Sequence, residues 1–138
     1  LLTSEPGWLE PSQWPELVER DRRGTCQVAW VLMNTGDEKL GLALLRQATS
    51  YLEDSLPLVH EHTDWDHPEV CYLTAGDTEK ALLSIETALS HNHLYAWVAH
   101  QMPMFDLIRH EPRFQATSAE YERRISVQRE NVEKMAAD

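Results

Sequence analysis

One local pattern, written twice, constrains this chain more than any other feature of it. Thr35-Gly36-Asp37 opens a stretch with Gly41, Leu45 and Ala48 at five, nine and twelve positions after the first glycine; Ala75-Gly76-Asp77 opens a second with Ala81, Ile85 and Ala88 at the same offsets. Each part has a mechanical purpose. A glycine ends an incoming helix by taking a left-handed conformation, and an aspartate caps the outgoing helix through its side-chain oxygen. The small residues at 41 and 81 allow two antiparallel helices to approach closely, and the later aliphatic and alanine positions continue a buried stripe at helical spacing. Upstream of Gly36 the run Cys26, Val28, Ala29, Trp30, Val31, Leu32, Met33 is too continuously apolar for a helix covered on one side only. The pattern predicts helix, tight turn, helix, twice, with the turns 40 residues apart.

In its second copy this unit resembles the tetratricopeptide repeat, whose period is about 34 residues: Trp65, Tyr72, Gly76, Ala81, Ile85 and Ala88 fall on that family's signature positions. In the first copy Ala29, Leu32, Gly36, Gly41, Leu45 and Ala48 fit, while Thr25 stands where an aromatic is usual. The family's closing proline is absent from both copies, where Glu53 and His93 stand. The turn spacing exceeds the period by six residues, which places the end of the second helix of copy one near Leu56. Further on, Met102-Pro103-Met104-Phe105-Asp106-Leu107-Ile108-Arg109-His110-Glu111-Pro112-Arg113-Phe114-Gln115 is similar to the segment that closes such arrays in bacterial multidomain regulators, those linked to cyclases, winged-helix factors or kinases. The resemblance implies an all-α fold, an α-solenoid of tetratricopeptide-like hairpins with C-terminal capping helices. It also implies a non-catalytic protein-interaction or regulatory module belonging to a larger bacterial signalling or transcription-regulating protein. The opening Leu1-Leu2-Thr3, without an initiator Met, fits a fragment.

The expected organisation is an N-terminal flank at 1–23, the end of an earlier repeat; two repeats at 24–93; an end cap at 94–115; and a C-terminal helix at 116–138. In the cap, a short helix from Met104 to Arg109 is expected to break at Pro112 and restart at Phe114, with Phe105, Leu107, Ile108 and Phe114 sealing the last repeat. In the final helix Tyr121, Ile125, Val132 and Met135 come close to a seven-residue pattern, so it either lies along its neighbours or pairs two chains as a homodimer.

Composition narrows the function classes. Twenty-three acids against twelve Lys and Arg give a net charge of −11, which repels phosphate backbones and argues against direct nucleic-acid binding. No apolar run is long enough for membrane insertion. Between Gln47 and Glu79 there are eight acids, three histidines and no Lys or Arg, a solvated face or a docking surface for a basic segment. Enzyme signatures are missing: Leu42-Ala43 follow Gly36-x-x-x-x-Gly41 where a phosphate loop needs Lys and Ser or Thr, and His60-Glu61-His62 lacks the i,i+4 spacing of a helical zinc pair. No catalytic residue and no cofactor are expected. A metal-binding or metal-sensing domain built on His60, His62, Asp64 and His67 is the alternative, since imidazole and carboxylate are ordinary zinc ligands. Cys26 and Cys71 read as two small buried thiols or as one bridge between neighbouring helices in an oxidising compartment. A cytoplasmic location is the default, and a periplasmic one fits a membrane-anchored parent.

In the family that the chain resembles, the first helix of each repeat lines a concave groove. The resemblance therefore implies a partner-binding surface of Arg23, Cys26, Gln27, Trp30, Met33 and Asn34 from copy one. Copy two would add Thr63, Asp66, His67, Val70 and Thr74. The expected partner is a protein or peptide segment of basic character. Copy two offers no Lys or Arg for clamping a partner's C-terminal carboxylate.

Overall fold

A computed structural model describes residues 10–62 and 67–137, except the side chains of residues 51–62 and 95. Among the described residues the protein is all-α. A 3-10 turn at Pro11–Gln13 leads into α1 (Trp14–Arg20), α2 (Arg22–Thr35), α3 (Glu38–His62), α4 (Pro68–Thr74) and α5 (Thr78–Ser90). Two 3-10 segments, Leu94–Gln101 and Pro103–Leu107, precede α6 (Pro112–Ala137). No helix among the described residues is long and apolar enough to cross a membrane.

Both Gly-Asp turns take the conformation their chemistry demands. Gly36 (φ 113°) and Gly76 (φ 79°) are left-handed, and the amides of Asp37 and Asp77 reach back to the carbonyls of Leu32 (3.1 Å) and Tyr72 (2.8 Å). The next helices are then capped: Asp37 Oδ1 accepts from the Leu40 amide at 3.3 Å and Asp77 Oδ1 from the Lys80 amide at 3.1 Å. The outcome is two antiparallel hairpins, α2 with α3 and α4 with α5. In the first, Gly41 lies so close to α2 that an added Cβ would sit 2.7 Å from Met33 Cγ and 2.8 Å from the Ala29 carbonyl oxygen. Ala81 holds the matching place in the second and is fully buried.

The hairpins share one core. Cys26, Ala29 and Leu32 of α2 and Leu44, Leu45 and Ala48 of α3 join Val70, Cys71 and Leu73 of α4 and Leu82 and Ile85 of α5 in a continuous buried cluster. On one side it is covered by Trp14, Leu17 and Val18 of α1, which packs on α2 and α3. Within the cluster Cys26 and Cys71 form a disulfide, with Cα atoms 5.1 Å apart, that ties α2 to α4 across 45 residues of sequence. The reading of two separate thiols is thereby corrected. Nothing in the local sequence reveals that the two helices lie side by side.

Three element boundaries differ from expectation. α3 continues to His62, six residues past Leu56, and takes up the extra length between the two turns. The second copy's first helix starts at Pro68, not Trp65; Thr63, Asp64, Trp65 and Asp66 lie outside the described residues. Pro112 begins a helix and does not break one, because its missing N–H would be unpaired in a first turn anyway. The expected seam at 115/116 consequently falls inside α6.

α6 is strapped to α5. Arg113 makes a two-pronged bond to Glu86 (2.9 and 2.9 Å) and reaches Glu79 at 2.8 Å, and Arg124 Nη1 donates to the Leu89 carbonyl at 2.8 Å. Phe114, Thr117 and Tyr121 are buried beneath this strap, while every residue from Ser126 to Ala137 is exposed.

Two stability tests follow from these contacts. Gly41→Ala should lower the unfolding free energy by about 2 kcal/mol, since backbone atoms of α2 must yield. Gly36→Ala, with nothing within 4 Å of its new Cβ, should lose only about 1 kcal/mol through its left-handed backbone. Denaturant melts of the two variants would give this order, and equal losses would refute the close-approach argument. Reducing the disulfide, or the pair Cys26→Ala with Cys71→Ala, removes about 4 kcal/mol of loop-closure stabilisation for a loop of this length. The midpoint of thermal unfolding should fall by more than about 10 °C.

Candidate functional site

The ends of α2 and α4 open together on one groove. Trp30, Met33 and Asn34 form its first wall, Leu73, Thr74, Ala75 and Gly76 its second, and Pro103, Met104, Asp106 and Leu107 its third, enclosing about 520 Å³. Both glycine-terminated helices thus present their C-terminal ends, the negative poles of their dipoles, at the groove. Among the described residues no lysine, arginine or histidine lines it.

Its polar groups are mostly turned back on their own backbone. The Asn34 amide donates to the Trp30 carbonyl at 2.7 Å, and the Thr74 hydroxyl donates to the Val70 carbonyl at 2.8 Å. Asp106 accepts from Arg109 Nε at 2.5 Å with its side chain 71% exposed, so its carboxylate still faces solvent. What remains for a ligand is mainly apolar: half-buried Trp30 and Met33, and Leu107, which is 51% exposed.

The structure sorts the sequence-derived groove residues into three groups. Trp30, Met33, Asn34 and Thr74 line the groove. Gln27 is half-buried and donates to Met102 Sδ at 3.3 Å, bracing the third wall from behind, while Arg23 is half-buried away from the lining. Val70 and His67, by contrast, are inside the fold: Val70 is fully buried and the His67 ring meets Glu69 Oε1 at 2.9 Å. Cys26 is spent in the disulfide. Burial accounts for Val70, because α4 is only two turns long and Glu69 to Thr74 are all buried by neighbouring elements. Thr63 and Asp66 lie outside the described residues.

For the metal alternative, Asp64 and the side chains of His60 and His62 also lie outside what is described. Among the described residues no three His, Cys, Asp or Glu side chains converge to hold a metal.

Reading the sequence alone misses the third wall. Leu107 was expected to seal the core with Phe105, Ile108 and Phe114; those three are buried, and Leu107 instead faces the groove. The signal was present in Pro103-x-x-Asp106-Leu107, a polar–apolar pair beside a buried aromatic, but only the 3-10 geometry turns it outward.

Behind that wall lies a buried polar cluster. His100 is 1% exposed, its ring centroid 5.1 Å from Phe105, 5.6 Å from Phe114 and 5.2 Å from Tyr121, and neither ring nitrogen has a hydrogen-bond partner. Burial lowers its pKa to about 4; Glu69 acts in the opposite direction, and His67 and Arg109 add to the lowering. Burial also pushes the Tyr121 phenol upward. On the surface, the hydrogen bond from Arg113 holds the Glu86 carboxyl below its ordinary range.

Compared with known proteins, the chain matches no family model, no curated protein and no solved structure.

The buried imidazole gives a signed pH dependence. Its pKa is lower folded than unfolded, so the unfolded chain takes up the proton first. Stability is therefore full above about pH 6.5 and falls as pH drops towards 4, by about 3 kcal/mol in all. Urea titrations at several pH values should show this slope in the wild-type chain and a shallower one in His100→Phe.

Proposed function

We propose that this chain is a non-catalytic protein-interaction module of the tetratricopeptide type, which binds an extended segment of a partner protein in the groove between α2, α4 and Pro103–Leu107. The observation that carries the reading is the groove itself, a mainly apolar cleft with two helix C-termini and the Asp106 carboxylate at its edge. Its placement supports the family resemblance: the first helix of each hairpin supplies a wall, with the close approaches at Gly41 and Ala81 where that architecture needs them. Trp30 gives the cleft a large, half-exposed aromatic, the kind of residue that concentrates binding energy.

Charge selects the occupant. Two helix C-termini and the partly solvent-facing carboxylate of Asp106, which Arg109 pairs from one side, border an apolar floor with no basic lining residue among the described residues, and the whole chain carries −11. The partner segment that fits is an aliphatic or aromatic anchor flanked by lysine or arginine. Such a segment gains from burial of the anchor and from the negative rim, and the second gain is screened by salt.

Selecting random ten-residue peptides on the full chain tests this. Binders should be enriched in an apolar residue beside Lys or Arg, and their affinity should drop several-fold between 50 and 500 mM salt, an order-of-magnitude expectation for partly exposed charge pairs. Trp30→Ala and Leu107→Asp should each weaken binding about tenfold or more. Leu107 is half exposed, so its substitution should leave the melting temperature nearly unchanged and separates lost contact from lost fold. Binders indifferent to both substitutions, or no binders, would reject the groove.

A second reading has its own support. Val132 and Met135 are 65% and 77% exposed on the projecting half of α6, continuing at helical spacing the seam that Tyr121 and Ile125 bury higher up. This stripe fits pairing with a second copy of the chain, and sedimentation equilibrium with and without Val132→Lys decides it.

A further inference from the structure

The groove's third wall is its least securely built part. Leu94–Gln101 and Pro103–Leu107 are both 3-10, a geometry with poorer hydrogen bonds than the α-helices on the other two sides. What holds the wall in place is its inner face. Phe105, between the groove-lining Met104 and Asp106, packs on the His100 ring, which in turn meets Phe114 and Tyr121 of α6. A leucine or phenylalanine at position 100 would fill this box without a polar atom. Histidine instead brings two ring nitrogens, both buried and both without a partner. An unsatisfied buried ring of this kind weakens the wall at neutral pH and is incompatible with it once protonated.

We propose that His100 is a proton-operated latch on the groove: the neutral ring lets Pro103–Leu107 dock and complete the third wall, and protonation releases that segment and with it the bound partner. The proposal rests on the peptide-binding reading for what is released, but not for the latch itself. The charged and titratable groups that face the ring are Glu69 on α4, His67 just before that helix, Arg109 just after the wall segment and Tyr121 on α6. Only Glu69 favours a cation there; His67 is bonded to that same carboxylate, and Arg109 adds positive charge. Desolvation outweighs the carboxylate, so the docked box accepts the neutral ring. An undocked, hydrated His100 titrates near 6.5, which makes each pH unit below that value favour the undocked wall about tenfold until the docked ring itself titrates. Mildly acidic surroundings near pH 5 then unload the groove while α2 and α4 stay locked by their disulfide.

Hydrogen exchange on the full, oxidised chain tests this without any ligand. After correction for intrinsic rates, amides of residues 94–108 should exchange about tenfold faster per pH unit from 6.5 down to 4.5, relative to amides of α2. In His100→Phe that excess should vanish. The same acceleration in both proteins would overturn the proposal. So would an NMR titration of the wild-type ring at an ordinary value near 6.5 with flat exchange, a measurement that needs no variant to fold. Because exchange is read on the chain alone, a failed peptide selection leaves the latch standing, and a failed latch leaves the groove standing. If both hold, the selected peptide should dissociate at pH 5 from the wild-type chain and remain bound to His100→Phe.

Discussion

The contact between α2 and α4 is the constraint on which the remaining architecture depends. It brings two glycine-terminated helix ends side by side, so that the polar termini of both hairpins share one opening. Apolar packing alone would hold these helices loosely, since α4 has only seven residues. The Cys26–Cys71 bridge converts that packing into a fixed distance. Everything that faces the groove, including the half-exposed Trp30, inherits its position from there.

The order of dependence continues outward from this joint. Gly41 sets how close α3 comes to α2, and the α2–α3 hairpin then receives α1 on its open side. At the other end, α5 receives α6 through Arg113 and Arg124, and α6 in turn supplies Phe114 and Tyr121 to the box around His100. In a chain with nearly twice as many acids as bases, these arginines are placed where two helices must be held together.

The parts of this design readable from sequence are those whose physics is local. A left-handed glycine followed by a capping aspartate needs only four or five residues to be recognised, and both turns are found where the pattern puts them. A glycine five positions later announces a close approach for the same reason. The parts that depend on which helix lies beside which are hidden. The disulfide joins residues 45 positions apart. Val70 and His67 looked available for a partner because helical phase alone does not reveal the neighbours that cover α4. Leu107 looks like core in the sequence because the tail motif has the pattern of a short helix, and the 3-10 twist turns that side chain into the groove. His100 drew no notice at all, since a histidine becomes unusual only when its surroundings are known.

The strap across α5 leaves the last twelve residues of α6, Ser126 to Ala137, standing clear of the body as a rod about 18 Å long. The buried stretch of the same helix, from Phe114 to Tyr121, is shorter than that overhang. Arg113 and Arg124 therefore clamp α6 at both ends of its buried stretch, and the overhang is a cantilever fixed at Arg124, not a pivoting arm. A load at the free tip, whether a second chain or a bulky neighbour, would be taken up first by the Arg124 anchor and not by the aromatic box behind the groove.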